Sequence, residues 1–138
     1  MARFVAQVPL RWTDQDSYRH LNHANAVTLL EEARIQLFFD HASAEGVTGF
    51  VGGLLVAGLN VEYKRQISYS AKLLRVTMAV DEVRAASFRI CYEMHEGPEE
   101  DDVVAITAWT RMATFDLEAQ RPRRVTAEEK EFLGRWTA

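Results

Sequence analysis

The amino-acid sequence predicts an α+β domain in which a curved antiparallel sheet wraps around one long central helix. Two patterns predict it. After residue 54 the chain is rich in Val, Ile, Tyr, Phe and Thr with frequent apolar–polar alternation, which is typical of half-buried strands. We place these strands near 54–66, 72–84, 86–96 and 103–117. One earlier segment repeats its apolar residues at helical spacing instead, which predicts a helix. Antiparallel strands commonly bury one face of their sheet against such a helix.

The first strand and the long helix come before this run. Residues 3–12 alternate well enough for a strand, and Pro9 inside it favours an edge position or a bulge. Residues 24–44 form the predicted helix, which at roughly 30 Å for 20 residues is long enough to be the central one. Asn22 is the predicted N-cap. The apolar stripe consists of Ala26, Leu29, Leu30, Ala33 and Leu37.

Two further segments complete the predicted chain. Five of the seven glycines fall between Gly46 and Gly58, which indicates a flexible loop followed by a strand that other groups approach closely. Residues 126–136 predict a short C-terminal helix with Thr126 as its cap and Glu129 completing a capping box. Its apolar stripe consists of Phe132, Leu133 and Trp136.

Composition limits the classes of protein that fit. The 138 residues, 48% hydrophobic and 26% charged, suit one globular domain spanning 1–138 and exclude disorder along the whole chain. The net charge of −4 argues against nucleic-acid binding, and no window reaches the roughly 18 apolar residues of a membrane span. Cys91 cannot form an internal disulfide, and its apolar surroundings predict a small core residue. The first residues show no signal-peptide pattern, so we expect the cytoplasm.

The densest polar cluster lies between the first strand and the long helix. It consists of Asp14, Asp16, His20, Asn22 and His23. The free N–H groups and the positive dipole end of a helix N-terminus can stabilise an oxyanion that develops on an attacked carbonyl. A nearby carboxylate can act as the nucleophile or as a general base for water. The cluster therefore suits hydrolysis of an acyl group.

Other interpretations of the cluster are simpler. Asp and Asn residues before a helix are often caps only. His20 and His23 could ligate a metal, but the spacing fixes no third ligand, so we predict no metal site. The chain has no G-x-S-x-G elbow for a serine triad and no glycine-rich nucleotide motif.

The segment RWTDQDSYRHLNHA at residues 11–24, which runs on to EEAR at 31–34, resembles the signature of hotdog-fold acyl-CoA thioesterases. The branch it resembles is the 4-hydroxybenzoyl-CoA thioesterase type, with the approximate pattern R-F-x-D-x-D-x-x-G-H-V-N-N-A-x-Y-L-x-Y-x-E-x-A-R. This resemblance implies a hotdog fold and hydrolysis of an acyl-CoA to free acid and CoA. It implies that Asp16 is the nucleophile or general base and that the backbone N–H of His23 is the oxyanion donor. His20 and Asn22 would shape the site, and we interpret Asp14 as structural.

The sequence departs from this pattern at two informative positions. Arg19 replaces the glycine before His20, and a glycine there predicts a backbone conformation unfavourable for arginine. The Arg19 side chain could instead reach a phosphate or a carboxylate. Ala26 replaces a tyrosine, which would widen the acyl pocket.

The resemblance also implies substrate-binding residues and a partner. Asn60 and Tyr63 fall where the second strand of the family passes the site. Arg84 and Ser87 fall on the turn that carries a basic cluster in the family, and coenzyme A needs such cations for its phosphates. The remaining basic residues near strands and before the last helix could equally be solvated charge: Lys64, Arg65, Lys72, Arg75, Arg121, Arg123 and Arg124. The family forms dimers with joined sheets, often paired into tetramers, with each site between subunits. Coenzyme A is part of the substrate, so we expect no cofactor.

Two alternatives remain open. A hydratase or dehydratase of acyl thioesters would use a carboxylate on the long helix, for which Glu31 and Glu32 are the candidates. A non-catalytic acyl-CoA-binding protein is the other alternative, since one fold hosts several functions.

Overall fold

In a computed structural model, which describes residues 2–137, an antiparallel sheet wraps around a central helix. The strands are β1 (Phe4–Pro9), β2 (Leu54–Tyr63), β3 (Leu73–Asp81), β4 (Ser87–His95), β5 (Val104–Asp116) and a short β6 (Arg121–Pro122). Their order across the sheet is β1-β3-β4-β5-β2, and β6 pairs with β5. This confirms the predicted fold class. Pro9 ends the edge strand β1, as its missing N–H requires.

The central helix begins at His23 and reaches Ala44, close to the predicted 24–44. It is α-helical over His23–Ile35, π-helical over Gln36–His41 and α-helical again over Ala42–Ala44. The π-helical segment was not predicted, because hydrophobic spacing does not report which carbonyl each N–H reaches. The helix buries its apolar stripe in the core with Ala26, Leu29, Leu30, Ala33, Leu37 and Phe38.

The strands are shorter than predicted at their ends, and one face was assigned wrongly. The first strand, predicted over 3–12, ends at Pro9, and Trp12–Asp14 form a 3-10 turn in which Asp14 accepts from the N–H of Arg11. In β4 the neighbours Ile90 and Tyr92 point into the core, so Cys91 lies half-buried on the outer face. The alternation was therefore correct, but the predicted burial of Cys91 was wrong.

The C-terminal helix (Ala127–Gly134) confirms its predicted cap. The hydroxyl of Thr126 accepts from the N–H of Glu129 at 3.1 Å, and the Glu129 carboxylate accepts from the N–H of Thr126 at 2.9 Å. Glu129 is buried and also pairs with Arg123 at 2.7 Å. Phe132 and Leu133 are buried, and Trp136 packs edge-on against Phe4 with ring centroids 5.3 Å apart.

Strand β2 forms the second edge of the sheet and exposes an apolar surface. Its exposed residues include Leu55, Val56, Leu59 and Tyr63. A long apolar edge with unpaired backbone groups is a template for another strand. Within residues 2–137, no helix is both long and apolar enough to cross a membrane.

Candidate active site

Asp14 anchors the loop between β1 and the central helix. Its carboxylate is fully buried and accepts from the N–H of Arg11 at 2.8 Å, from the Arg11 guanidinium at 2.8 and 3.1 Å, and from the Asn25 amide at 2.9 Å. Burial alone would raise the pKa of Asp14, but the hydrogen bonds from Arg11 and Asn25 outweigh it and hold that pKa below its usual value. Asp14 thus joins the loop to the first helical turn, in agreement with its predicted structural role.

Asp16 organises the loop that follows. Its Oδ1 accepts from the backbone N–H of Tyr18 at 2.8 Å and of His20 at 3.2 Å. The backbone closes the same turn, since the N–H of Asp16 donates to the carbonyl of His20 at 2.9 Å. These bonds hold one carboxylate oxygen still, while Oδ2 has no hydrogen-bond partner among the described residues. That oxygen is available for chemistry.

Arg19 closes this turn in a left-handed backbone conformation, with φ of 66°. Its N–H donates to the carbonyl of Asp16 at 3.1 Å, and the carbonyl of the next residue, His20, accepts from the N–H of Asp16 at 2.9 Å, so Arg19 lies where the chain reverses. The expectation that this position needs an unusual backbone is confirmed. The Arg19 side chain is exposed to solvent.

The helix N-terminus leaves one donor free beside the loop. The side-chain oxygen of Asn22 accepts from the N–H groups of Ala24 at 2.8 Å and Asn25 at 3.3 Å, which confirms Asn22 as the N-cap. The backbone carbonyl of Asn22 takes the N–H of Ala26 at 2.9 Å. Among residues 2–137 the N–H of His23 finds no partner. It is therefore the helix-terminal donor that remains for a ligand.

A pocket of about 330 Å³ brings the loop and the helix terminus together. Asp16, His20, His23, Tyr63, Lys64 and Arg65 all line it. The loop is fixed to the chain after β2, because the N–H of Leu21 donates to the carbonyl of Ile67 at 2.8 Å. Nδ1 of His20 is buried without a hydrogen-bond partner in the described part of the chain. Two cations thus lie in the same pocket as the Asp16 carboxylate.

Tyr63 connects the edge strand to the helix terminus. Its hydroxyl donates to the backbone carbonyl of His23 at 2.7 Å. A tyrosine hydroxyl keeps its proton for this bond at neutral pH, and partial desolvation raises the pKa of Tyr63 further although about half of the side chain is exposed. This bond holds the first helical residue against β2.

The other predicted substrate-binding residues do not line this pocket. Asn60 is exposed on β2. Arg84 lines a separate cleft of about 760 Å³ between the β3–β4 turn and the C-terminal helix, where its guanidinium lies 3.5 Å from Glu82. Ser87 begins β4, and its carbonyl accepts from the N–H of Arg84 at 2.7 Å.

The alternative acid–base candidates also lie away from Asp16. Glu31 is more than half exposed and lies 3.4 Å from Arg34 in a second pocket. Glu32 faces a third pocket beside β1. In the part of the chain that the structure describes, no group of three or more His, Cys, Asp or Glu side chains could hold a metal ion.

Asn25 is the residue of this region that sequence reasoning missed. Its amide bonds Asp14 across eleven positions of the chain, and its backbone N–H bonds the cap. The available signal was a polar amide in the first helical turn, next to the buried Ala26.

The curled antiparallel sheet around one helix, with a polar loop at the helix N-terminus, is the hotdog fold of thioesterases. The model of the Thioesterase-like superfamily matches residues 10–135, and the chain belongs to that superfamily. The resemblance found in the motif is thereby confirmed.

Solved structures share this fold over the full chain. The probable thioesterase YbaW from Escherichia coli is 23% identical, with a TM-score of 0.77 over 97% of this chain and 98% of that one. A DHNA-CoA thioesterase from Staphylococcus aureus is 22% identical, with a TM-score of 0.78 over 98% of this chain and 91% of that one. A "predicted thioesterase" from Bacillus stearothermophilus is 18% identical, with a TM-score of 0.80 over 99% and 98%. No curated protein sequence matches this chain.

Proposed function

We propose that this protein hydrolyses an acyl-CoA thioester to a free carboxylic acid and CoA. One observation supports the proposal: Asp16 and His23, whose backbone N–H has no partner among residues 2–137, line the same pocket at the positive end of the helix dipole. Membership of the Thioesterase-like superfamily supports it.

The geometry suits two routes, which differ in whether Asp16 or a water molecule attacks the carbonyl carbon of the thioester. In both, the thioester carbonyl oxygen accepts the N–H of His23, which stabilises the negative charge that develops there. Asp16 Oδ2 either attacks the carbonyl carbon, expels the CoA thiolate and forms an anhydride that water hydrolyses, or it takes a proton from a water that attacks instead. Water is consumed and no cofactor is needed on either route. His20 and Asn22 serve by holding the loop and the helix terminus.

The cations of the pocket suit the phosphates of coenzyme A. Lys64 and Arg65 lie in the pocket of Asp16, although Arg65 also pairs with Glu96. We keep Arg19, Arg84, Ser87 and Asn60 as proposed substrate-binding residues. Arg19 lies on the turn of Asp16, whereas Arg84, Ser87 and Asn60 would act from other parts of an assembly.

That assembly is a homodimer or a dimer of dimers, with the site at the subunit interface. The exposed apolar edge of β2 supports it, since a second copy can continue the sheet there. Light scattering at micromolar concentration tests this, and a monomeric mass contradicts it. Cytoplasmic localisation stays a prediction.

Replacement of Asp16 tests the proposed reaction. We expect Asp16→Asn to lower thiol release from acyl-CoA thioesters by at least ~100-fold, because the nucleophile or base is lost. The melting temperature should change little, since an amide oxygen still accepts the two backbone N–H groups. Asp40→Asn, at an exposed position near the end of the helix, is the matched control and should keep full activity.

The assay also separates the alternatives. Full activity of Asp16→Asn contradicts the proposed site. Hydration of an enoyl thioester without thiol release would favour the hydratase, and tight binding of acyl-CoA without either reaction would favour a binding protein.

A further inference from the structure

Two pockets lie between residues of the central helix and the edge strand β2. The first is the Asp16 pocket, where Tyr63 of β2 bonds the backbone of His23. The second has a volume of about 200 Å³, and Val56 and Leu59 of β2 line it together with later residues of the helix. The helix contributes Val27, Thr28, Leu30, Glu31 and Arg34 to this second pocket, and Thr110 of β5 also lines it. Its apolar side chains suit the methylenes of an acyl group, and its charged side chains suit a polar end.

Arg34 places a positive charge in this second pocket. Its side chain is only 11% exposed. One guanidinium nitrogen donates to the hydroxyl of the buried Tyr92 at 3.2 Å, and Tyr92 in turn lies 2.6 Å from the hydroxyl of Thr110. A second nitrogen lies 3.4 Å from Glu31, which is 57% exposed. The remaining N–H groups of Arg34 have no partner among residues 2–137.

This charge is poorly compensated for its degree of burial. A cation largely removed from water is costly unless an anion and further hydrogen bonds satisfy it. Glu31 supplies one long contact, and its exposed side chain can turn towards solvent. The planar guanidinium of an arginine can donate two parallel hydrogen bonds to one carboxylate. The unpartnered N–H groups of Arg34 therefore suit a carboxylate of the ligand.

The dimensions restrict the ligand to a short chain. At a rise of ~1.5 Å per residue, Arg34 lies roughly 16 Å along the helix from His23. Its side chain points back towards the N-terminus, so the guanidinium lies roughly 10 Å from the first turn. A pocket of about 200 Å³ has room for roughly seven water-sized groups. Four methylenes and a carboxylate have about that size.

We propose that Arg34 selects thioesters whose acyl group ends in a carboxylate, namely CoA monothioesters of short dicarboxylic acids. This rests on the proposed thioesterase function, and it adds the class of acyl group and a specificity-determining residue. The apolar side chains of the second pocket hold the methylenes, and the guanidinium, oriented by Tyr92, binds the distal carboxylate.

Turnover of two thioesters of equal chain length tests the proposal. For the wild type we expect kcat/KM for adipoyl-CoA to exceed that for hexanoyl-CoA by at least ~10-fold, because a site built for a polar group rejects the analogue that lacks it. Arg34→Met should lower this ratio by about 10- to 100-fold, the range for one lost charged hydrogen-bonded pair. Arg124→Met, a charge removed from an exposed position, should leave the ratio unchanged. A wild-type ratio under tenfold, or an Arg34→Met ratio within twofold of the wild type, overturns the proposal.

Two further measurements keep the outcome decisive. If Arg34→Met does not fold, Glu31→Gln replaces it: loss of this competing carboxylate should raise the adipoyl-to-hexanoyl ratio, and an unchanged or lower ratio overturns the proposal. If the wild type releases thiol from neither thioester, the proposed hydrolysis has failed and binding decides the role of Arg34. A larger thermal shift with adipoyl-CoA than with hexanoyl-CoA then supports it, and equal shifts overturn it.

Discussion

Removal of the Asp14 carboxylate tests how the candidate site is held together. In Asp14→Ala the backbone N–H of Arg11 and the amide of Asn25 lose an ionised acceptor. Each such bond is worth about 1.5–3 kcal/mol, for a gross loss of about 3–6 kcal/mol. The two bonds from the Arg11 guanidinium add little, because that side chain is more than half exposed and water replaces them.

Burying the Asp14 carboxylate costs free energy, because the charged group is removed from water. Asp14→Ala removes this cost together with the hydrogen bonds, so the net loss of stability is smaller than the gross loss. We therefore expect the free energy of unfolding to fall by about 2–4 kcal/mol. The melting temperature should fall by roughly 8–15 °C for a chain of this size. Urea unfolding followed by tryptophan fluorescence, at one fixed protein concentration, measures the change. Asp40→Ala, at an exposed position of the helix, is the control and should stay within about 0.5 kcal/mol.

The pH dependence gives this prediction a second readout. The pKa of Asp14 is lower in the folded protein than in the unfolded chain, because the bonds from Arg11 and Asn25 outweigh burial. Its contribution to stability is thus present above pH ~4 and is lost as the pH falls through the folded pKa. The difference between wild type and Asp14→Ala should therefore shrink below pH ~4. A difference under about 1 kcal/mol at pH 7, or one that stays constant down to pH 3, would refute the reasoning.

Three more substitutions have defined outcomes. Arg19→Gly replaces an arginine in a left-handed backbone conformation and should raise the free energy of unfolding by about 0.5–1 kcal/mol, measured by chemical unfolding. If Arg19 also binds a phosphate of coenzyme A, the KM of the same variant should rise, which kinetics measure. Tyr63→Phe removes the bond to the carbonyl of His23 and should lower kcat by about tenfold with KM nearly unchanged, whereas an equal change in both would indicate a role in binding. Glu129→Gln breaks the buried pair with Arg123 and should cost about 2 kcal/mol of stability by thermal unfolding, while thiol release by the folded protein stays unchanged.

The features that the sequence predicted well depend on residues close together in the chain. The cap at Asn22 and the capping box of Thr126 and Glu129 each span three positions, so their residue types alone indicate the contact. The strands and the central helix follow from apolar periods of two and of about 3.6 residues. The motif from residue 11 to residue 34 placed the polar loop at the helix terminus, where the structure also has it.

The features that the sequence left open depend on which face of an element meets another. Alternation in β4 is the same whichever set of residues is buried, so the outward position of Cys91 follows only from packing. The placement of Arg84 in a cleft apart from Asp16 follows from the strand register. Ser87, after the β3–β4 turn, is level with Ala113 and Leu55, whereas Tyr63, which bonds the helix N-terminus, is level with Ile106 at the other end of the sheet.

The sequence by itself therefore determined the elements, the superfamily and the carboxylate loop beside a helix N-terminus, because short-range spacing and hydrogen-bond chemistry specify them. Only the tertiary structure decided that the N–H of His23 finds no partner among residues 2–137, that His23 shares a pocket with Asp16, and that Tyr63 holds the helix terminus against β2. It also decided that Arg34, 58 positions from Tyr92, meets that hydroxyl beside a pocket between the helix and β2. The physical reason is that such contacts form only after the sheet curls around the helix and brings distant side chains to one place.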